Sequence, residues 1–153
     1  MTANVLLRPV ESADIDIFYE HQADPGASAM AVFPSRDLET HRKHWTTRIL
    51  VNESGIARTV VADGAVAGNV ISWLDEDGRR LVGYWLGREF WGRGIATEAL
   101  REYVGEVTER PLYAYVAATN VGSSRVLEKN GFVASEEIPG GDGDIEERLF
   151  VLN

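Results

Sequence analysis

Gly83-Tyr84-Trp85-Leu86-Gly87-Arg88-Glu89-Phe90-Trp91-Gly92-Arg93-Gly94-Ile95-Ala96-Thr97-Glu98-Ala99-Leu100 reads as a strand, a glycine-rich turn and the start of a helix. Gly92 and Gly94 flank one arginine, and helix formers follow at once: Ala96, Glu98, Ala99, Leu100 and Arg101. The first N–H groups of such a helix have no partner within it and point into the turn. The helix dipole adds partial positive charge there. Glycines let a ligand approach the main chain closely. The combination makes an anion site, suited to phosphate or pyrophosphate. Arg93 adds a charge beside it.

Two common phosphate-binding patterns are absent. The nucleotide-triphosphatase loop needs Gly-Lys-Ser/Thr, which the turn lacks. The dinucleotide fingerprint needs Gly or Ala at its last position, where this chain has Thr97, and an acidic residue at the end of the next strand. That strand, Pro111 to Ala117, carries no acid.

The strands before the turn point the same way. Asp63-Gly64 lies inside a β-rich run from Arg58 to Trp73, which is a hairpin signal. Asp75 to Gly78 makes a second turn leading to Arg80–Leu86. Three antiparallel strands therefore precede the helix, unlike a fold that alternates strand and helix from the start. The helix from about Gly94 to Thr108 joins Arg80–Leu86 to Leu112–Ala117 as a parallel βαβ unit. Asn120 to Phe132 is a short helix, capped at its start by Asn120 and closed by Asn130-Gly131. Phe132–Glu136 and Glu147–Leu152 pair as a hairpin around an acidic loop that lacks calcium-loop spacing.

Upstream, Val5–Val10 is a short apolar run that Pro9 ends or confines to a sheet edge. Ser12 caps a helix carrying Ile15, Phe18 and Tyr19, which Asp24-Pro25-Gly26 stops. A second helix begins near Ser35, with Leu38, Trp45 and Ile49 along one side. Its His41 and His44 read as a solvated face, since two histidines without a third ligand make a weak metal site. Between the helices, Met30, Val32 and Phe33 either line a cleft or fold back on the core.

Length and composition set limits. The 153 residues fit one domain, taken as 1–153, with 44% hydrophobic content. With no cysteine there is no disulfide, no thiolate metal site and no sulfur nucleophile. No stretch has the length and apolarity of a membrane span, and the N-terminal residues lack the basic flank and apolar core of a signal peptide. The cytoplasm is the expected compartment. A net charge of −9 disfavours nucleic acid and favours a cationic partner.

Tyr84-Trp85-Leu86 and Trp91-Gly92-Arg93-Gly94-Ile95-Ala96-Thr97-Glu98-Ala99-Leu100 resemble the acetyl-coenzyme A motif of the GNAT N-acetyltransferase superfamily. Gly94 and Ala96 match its last two fixed positions, and Trp91 stands where Gln or Arg is usual. Asn120, Ser123, Leu127 and Gly131-Phe132 resemble its second signature. The resemblance covers nearly the whole chain and is strongest to the branch containing the ribosomal-protein N-terminal acetyltransferases.

The resemblance implies an α+β fold: a mixed, largely antiparallel sheet of about six or seven strands and about four helices, with strands 4 and 5 parallel and splayed. It implies direct transfer of an acetyl group from acetyl-coenzyme A to a primary amine in a ternary complex, without metal. The acceptor is a protein N-terminus or a small amine. The pyrophosphate would lie on Gly92, Arg93, Gly94, Ile95, Ala96 and Thr97, beside Trp91. The pantetheine arm would run along Tyr84, Trp85 and Leu86, a main-chain N–H near Leu86 would polarise the thioester carbonyl, and Asn120 would contact the arm. Arg125 and Lys129 would meet coenzyme phosphates. Ser123 is the candidate acid near the sulfur, because the tyrosine used in other branches is replaced by Leu127. The base is open among Glu89, Asp75, Glu76 and His21, with Glu89 next to the motif. The Met30–Pro34 region would lie beside the acceptor. Many members pair through their sheets, which leaves a homodimer open. The competing reading is a non-catalytic module that senses acyl-coenzyme A.

Overall fold

The computed structural model describes residues 4–26, 37–51, 54–139 and 146–153. The Met30–Pro34 region, the expected start near Ser35 and the tip of the acidic loop lie outside these residues. Chain order is β1 (Val5–Pro9), α1 (Ser12–Ala23), α2 (Leu38–His44), β2 (Ile56–Ala62), β3 (Ala65–Leu74), β4 (Arg80–Leu86), α3 (Ile95–Glu106), β5 (Leu112–Ala117), α4 (Val121–Lys129), β6 (Val133–Ile138) and β7 (Glu147–Leu152). A π-helical turn, Trp45–Ile49, extends α2, and a 3₁₀ turn, Arg88–Phe90, follows β4.

The strands form one sheet in the order β1-β2-β3-β4-β5-β7-β6. All neighbours are antiparallel except β4 and β5. This is the expected mixed sheet, with seven strands and four α-helices among the described residues. Asp63 and Gly64 both have positive φ, 49° and 84°, as a two-residue hairpin turn with the natural strand twist requires. Asp75 closes the next turn, its side chain accepting from the Asp77 and Arg79 amides, both at 2.9 Å. Pro9 sits on an edge strand, where its missing N–H costs nothing.

The helices cover both faces. Ile15 and Phe18 of α1 pack with Trp45 against Ala57, Val66 and Ile71. On the other face Ile95, Ala99, Leu100 and Tyr103 form one stripe of α3, buried with Leu127 of α4 against Val60, Val70 and Val82. Their spacing of four, one and three residues is that of a single helical side.

One capping expectation and one burial expectation change. The N-cap of α1 is Glu11 rather than Ser12, because the Asp14 carboxylate accepts the Glu11 amide at 2.8 Å. His41 is not on a solvated face: it is 3% exposed, its Nε2 lies 3.0 Å from the Ile15 carbonyl, and its ring packs on Trp45. It ties α2 to α1.

Pairing between β4 and β5 is short. Only Arg80 faces Leu112 and Leu81 faces Tyr113 before the strands part. A polar cluster holds the closed end. The buried Arg80 guanidinium donates to Glu109 at 2.8 Å, to the Ser54 carbonyl at 2.6 Å and to Ser72 Oγ at 3.2 Å. Tyr103 donates to the Ile56 carbonyl at 2.7 Å and lies 2.7 Å from Ser72 Oγ. Among the described residues, strand pairing between β4 and β5 does not reach the far end of β4.

Candidate active site

A cleft of about 670 Å³ opens where β4 and β5 diverge, on the α3 and α4 face. Its walls are the end of β4, the N-terminus of α3 and the cleft-facing side of α4. Gly94 is the N-cap of α3, with φ 75°, a conformation that glycine adopts without penalty. The first intrahelical bond runs from the Glu98 amide to the Gly94 carbonyl at 3.1 Å. The amides of Ile95, Ala96 and Thr97 therefore lack helical acceptors and face the cleft. The N-terminus of α4 opens on the same cleft through Asn120, Val121 and Gly122. Two helix dipoles and the side chains of Arg125 and Lys129, one turn apart, favour a polyanion there.

Asn120 caps α4, its Oδ1 accepting the Ser123 amide at 3.2 Å. Asn130, at the other end, donates to the Thr97 carbonyl at 3.1 Å and fixes α4 against α3. The cleft walls are thus joined to each other.

The β4 main chain supplies the remaining polar groups. The Gly87 amide donates to the Ala67 carbonyl of β3 at 2.9 Å. Alternation along the strand turns the N–H and C=O of Leu86 to the opposite edge, into the gap left by β5. The Trp91 indole fills one of these positions, donating to the Leu86 carbonyl at 3.1 Å. The Leu86 amide is left facing the gap.

Tyr84 reaches across the cleft. Its hydroxyl lies 2.7 Å from Ser123 Oγ and donates to the Ser123 carbonyl at 3.0 Å. Burial pushes the phenol up to about 12, against a smaller lowering by the Ser123 hydrogen bond. It stays protonated at neutral pH.

Of the residues singled out from sequence, Tyr84, Trp85, Leu86, Trp91, Gly92, Gly94, Ile95, Ala96, Thr97, Asn120, Ser123, Arg125 and Lys129 line this one cleft. Arg93 does not: its guanidinium lies 3.5 Å from Asp63 in the β2–β3 turn and 5.8 Å from the Phe90 ring. Glu89 does not line it either; its charge is felt by His21 of α1. Asp75 and Glu76 sit at the start of β4, about 20 Å from its open end at strand rise, too far for a base. Leu127 is fully buried in the core, so that position of α4 offers no group to the cleft. Sequence reading missed Phe90, Thr119, Val121, Gly122 and Val126 as cleft lining. Gly122 and Val126 share a helical side with Lys129, and that periodicity was the available signal for them.

Residues 4–133 match the model of the acetyltransferase (GNAT) domain. The chain belongs to the GNAT acetyltransferase family. Over 96 residues, 59% of its length, it is 35% identical to YdaF of Bacillus subtilis (strain 168), a protein named as a ribosomal N-acetyltransferase. The match spans about half of that relative, 51%. Two solved GNAT structures share the fold. One is RimL, the ribosomal L7/L12 alpha-N-protein acetyltransferase in complex with coenzyme A: TM-score 0.81, 18% identity, 97% of this chain and 93% of that one. The other is the aminoglycoside acetyltransferase AAC(6′)-Ib in complex with coenzyme A: TM-score 0.81, 17% identity, 98% and 95% coverage. In this GNAT chain no three His, Cys, Asp or Glu side chains converge on a metal position among the described residues.

Proposed function

We propose that this chain moves an acetyl group from acetyl-coenzyme A to a primary amine by direct attack in a ternary complex. The observation that carries the reading is the open end of β4, where the Leu86 amide, turned away from β3, faces a cleft floored by the α3 N-terminus. The Ile95, Ala96 and Thr97 amides take the pyrophosphate, and Arg125 and Lys129 take further phosphate charge. The amide-rich pantetheine arm lies along Tyr84–Leu86 and completes main-chain pairing that β5 leaves open. The Leu86 amide then points at the thioester oxygen and stabilises the developing oxyanion.

Ser123, held by Tyr84, is the hydroxyl nearest the departing sulfur, and it passes a proton from solvent rather than acting as a strong acid itself. The acceptor is a cationic amine drawn by the net charge of −9. A protein N-terminus, as the name of RimL specifies for that protein, and an aminoglycoside, as for AAC(6′)-Ib, are the two classes to test. Pairing of two copies through sheet edges is part of the same proposal, with sedimentation as its test.

Calorimetric titration of acetyl-coenzyme A into the protein, beside Gly94→Val, tests the cleft. Thiol release with peptides bearing free N-termini and with aminoglycosides tests the chemistry. Binding that Gly94→Val loses, with turnover on either class, supports the proposal. Binding without turnover on any amine makes the chain an acyl-coenzyme A sensor instead.

A further inference from the structure

The last main-chain carbonyl of β4 is bonded from the gap side by a side chain of the cleft wall. Trp91 Nε1 donates to the Leu86 carbonyl at 3.1 Å, and the indole lines the cleft. The 3₁₀ turn Arg88–Phe90 folds the chain back so that Trp91 reaches the strand end. At 37% exposed, the ring is not held by the core. Arg88 backs it instead: the guanidinium carbon lies 5.7 Å from the centre of the Trp91 ring, and its Nε lies 3.2 Å from Asp24 at the end of α1.

The peptide between Leu86 and Gly87 is therefore fixed from both sides. Its N–H, on Gly87, is bonded to Ala67 of β3, and its C=O, on Leu86, is bonded to Trp91. His21 of α1 rests against the Gly87 main chain, where a Cβ would stand 2.6 Å from its Cδ2. His21 itself is outside the cleft lining, as Glu89 is.

We propose that Trp91 is a positioning residue that sets the register of the pantetheine arm on β4, so that the thioester oxygen meets the Leu86 amide. The inference rests on the acetyltransferase reading above. By strand alternation, Tyr84 and Leu86 both turn their N–H and C=O toward the gap. An amide of the arm brings a donor and an acceptor, so it can pair with either residue. A thioester brings an acceptor and no donor. Where the thioester sits, the strand N–H is used and the strand C=O is left over. A carbonyl left over in a closed cleft is costly. The Trp91 N–H removes that cost at Leu86. It also keeps an amide N–H of the arm from pairing with the Leu86 carbonyl, a slip that would carry the thioester past the amide that polarises it. One indole thus favours the productive register and blocks the next, the two halves of a specificity device.

The test compares wild type with Trp91→Phe, which keeps a flat ring without the N–H, and with Trp91→Gln, which returns an N–H at the same bond count from Cβ. Acetyl-coenzyme A affinity is measured by calorimetry. Thiol release with free-N-terminus peptides and aminoglycosides gives kcat and KM. Trp91→Phe should bind acetyl-coenzyme A within about 3-fold of wild type, since the pyrophosphate cradle is untouched. Its kcat should fall about 10-fold or more, because a thioester displaced along the strand loses its oxyanion contact. Trp91→Gln should return kcat to within about 3-fold of wild type, since it restores the donor. A ring that only fills space predicts the reverse order, with Phe the milder change, and that order overturns the proposal.

A second measurement is independent of turnover. The chain has four tryptophans, and the indole N–H signal absent from either variant in a proton–nitrogen spectrum is that of Trp91. In wild type its exchange with water should be slow in the free protein and stay slow with coenzyme A bound. Exchange that quickens on binding means that the arm has taken the Leu86 carbonyl, and it overturns the role of Trp91 alone. A wild type that binds acetyl-coenzyme A and releases no thiol with any acceptor overturns the acetyltransferase reading and this inference together.

Discussion

The Tyr84 hydroxyl, on β4, lies 2.7 Å from Ser123 Oγ, on α4. The pair bridges the two walls of the cleft beside the Leu86 amide, with a second bond from the phenol to the Ser123 carbonyl at 3.0 Å. Tyr84→Phe removes both bonds and keeps the ring. It should cost about 1 kcal/mol of stability, the usual net worth of a hydrogen bond. Because Ser123 loses its orientation, kcat should fall about 10-fold with acetyl-coenzyme A affinity nearly unchanged. Denaturant melts and a kcat-against-KM split check this; an unchanged kcat removes the pair from the chemistry.

Gly94→Val places a branched side chain at φ 75° with open space around it. The damage is therefore conformational and local to the cradle, not a clash with the core. It should destabilise the fold by about 1–2 kcal/mol and weaken acetyl-coenzyme A binding by more than about 10-fold, since the valine covers the amides that hold the anion. A variant that melts lower but binds as wild type would place the pyrophosphate elsewhere.

Asp14 is buried and receives three partners: the Arg8 guanidinium at 2.7 and 2.9 Å, Thr59 at 2.8 Å and the Glu11 amide at 2.8 Å. Burial alone would raise its carboxyl, but the Arg8 and other hydrogen bonds prevail and hold it below its ordinary value. A carboxyl depressed on folding stabilises the protein above its unfolded value, near about 3.9, and that contribution is lost as pH falls through the lower folded value. Asp14→Ala should cost about 3 kcal/mol, because Arg8 and Thr59 lose their partner. It should also flatten the stability curve below pH about 4. An unchanged acid limb would show that other carboxylates set it.

His21 acts on stability in a higher window. Burial lowers its folded value, so the unfolded chain binds a proton first as pH drops below about 6.5. Stability should decline from there downward, and His21→Phe should remove that decline. Unfolding midpoints at pH 7.5, 6 and 5 measure it directly; equal slopes in the two proteins would mean that the ring accepts its proton without cost in the folded state.

Much of the fold was legible because its signals are local. Asp63-Gly64, the Asp75 turn, Pro9 at an edge and the Gly94 start of α3 each depend on the φ or the donor that one or two residues supply. Helical stripes such as Ile95, Ala99, Leu100 and Tyr103 follow from the period of the helix. The glycine turn also assigned most of the cleft, since consecutive residues of one turn necessarily lie together.

Distant pairings had no such signal. That Tyr84 meets Ser123, 39 residues on, depends on how α4 packs across β4. Arg93 was placed beside the phosphate site by its neighbours in sequence, yet its long side chain turns to Asp63 of the adjoining hairpin. His41 carried the same imidazole as any exposed histidine until α1 supplied the Ile15 carbonyl. The sequence by itself determined the turns, the strand and helix periods and the cradle of main-chain amides, because backbone conformation is set within a few residues. The tertiary structure alone decided which side chains face the gap, because β4 and β5 are tied by the Arg80 cluster at one end and left free at the other, and no local pattern encodes where two strands part.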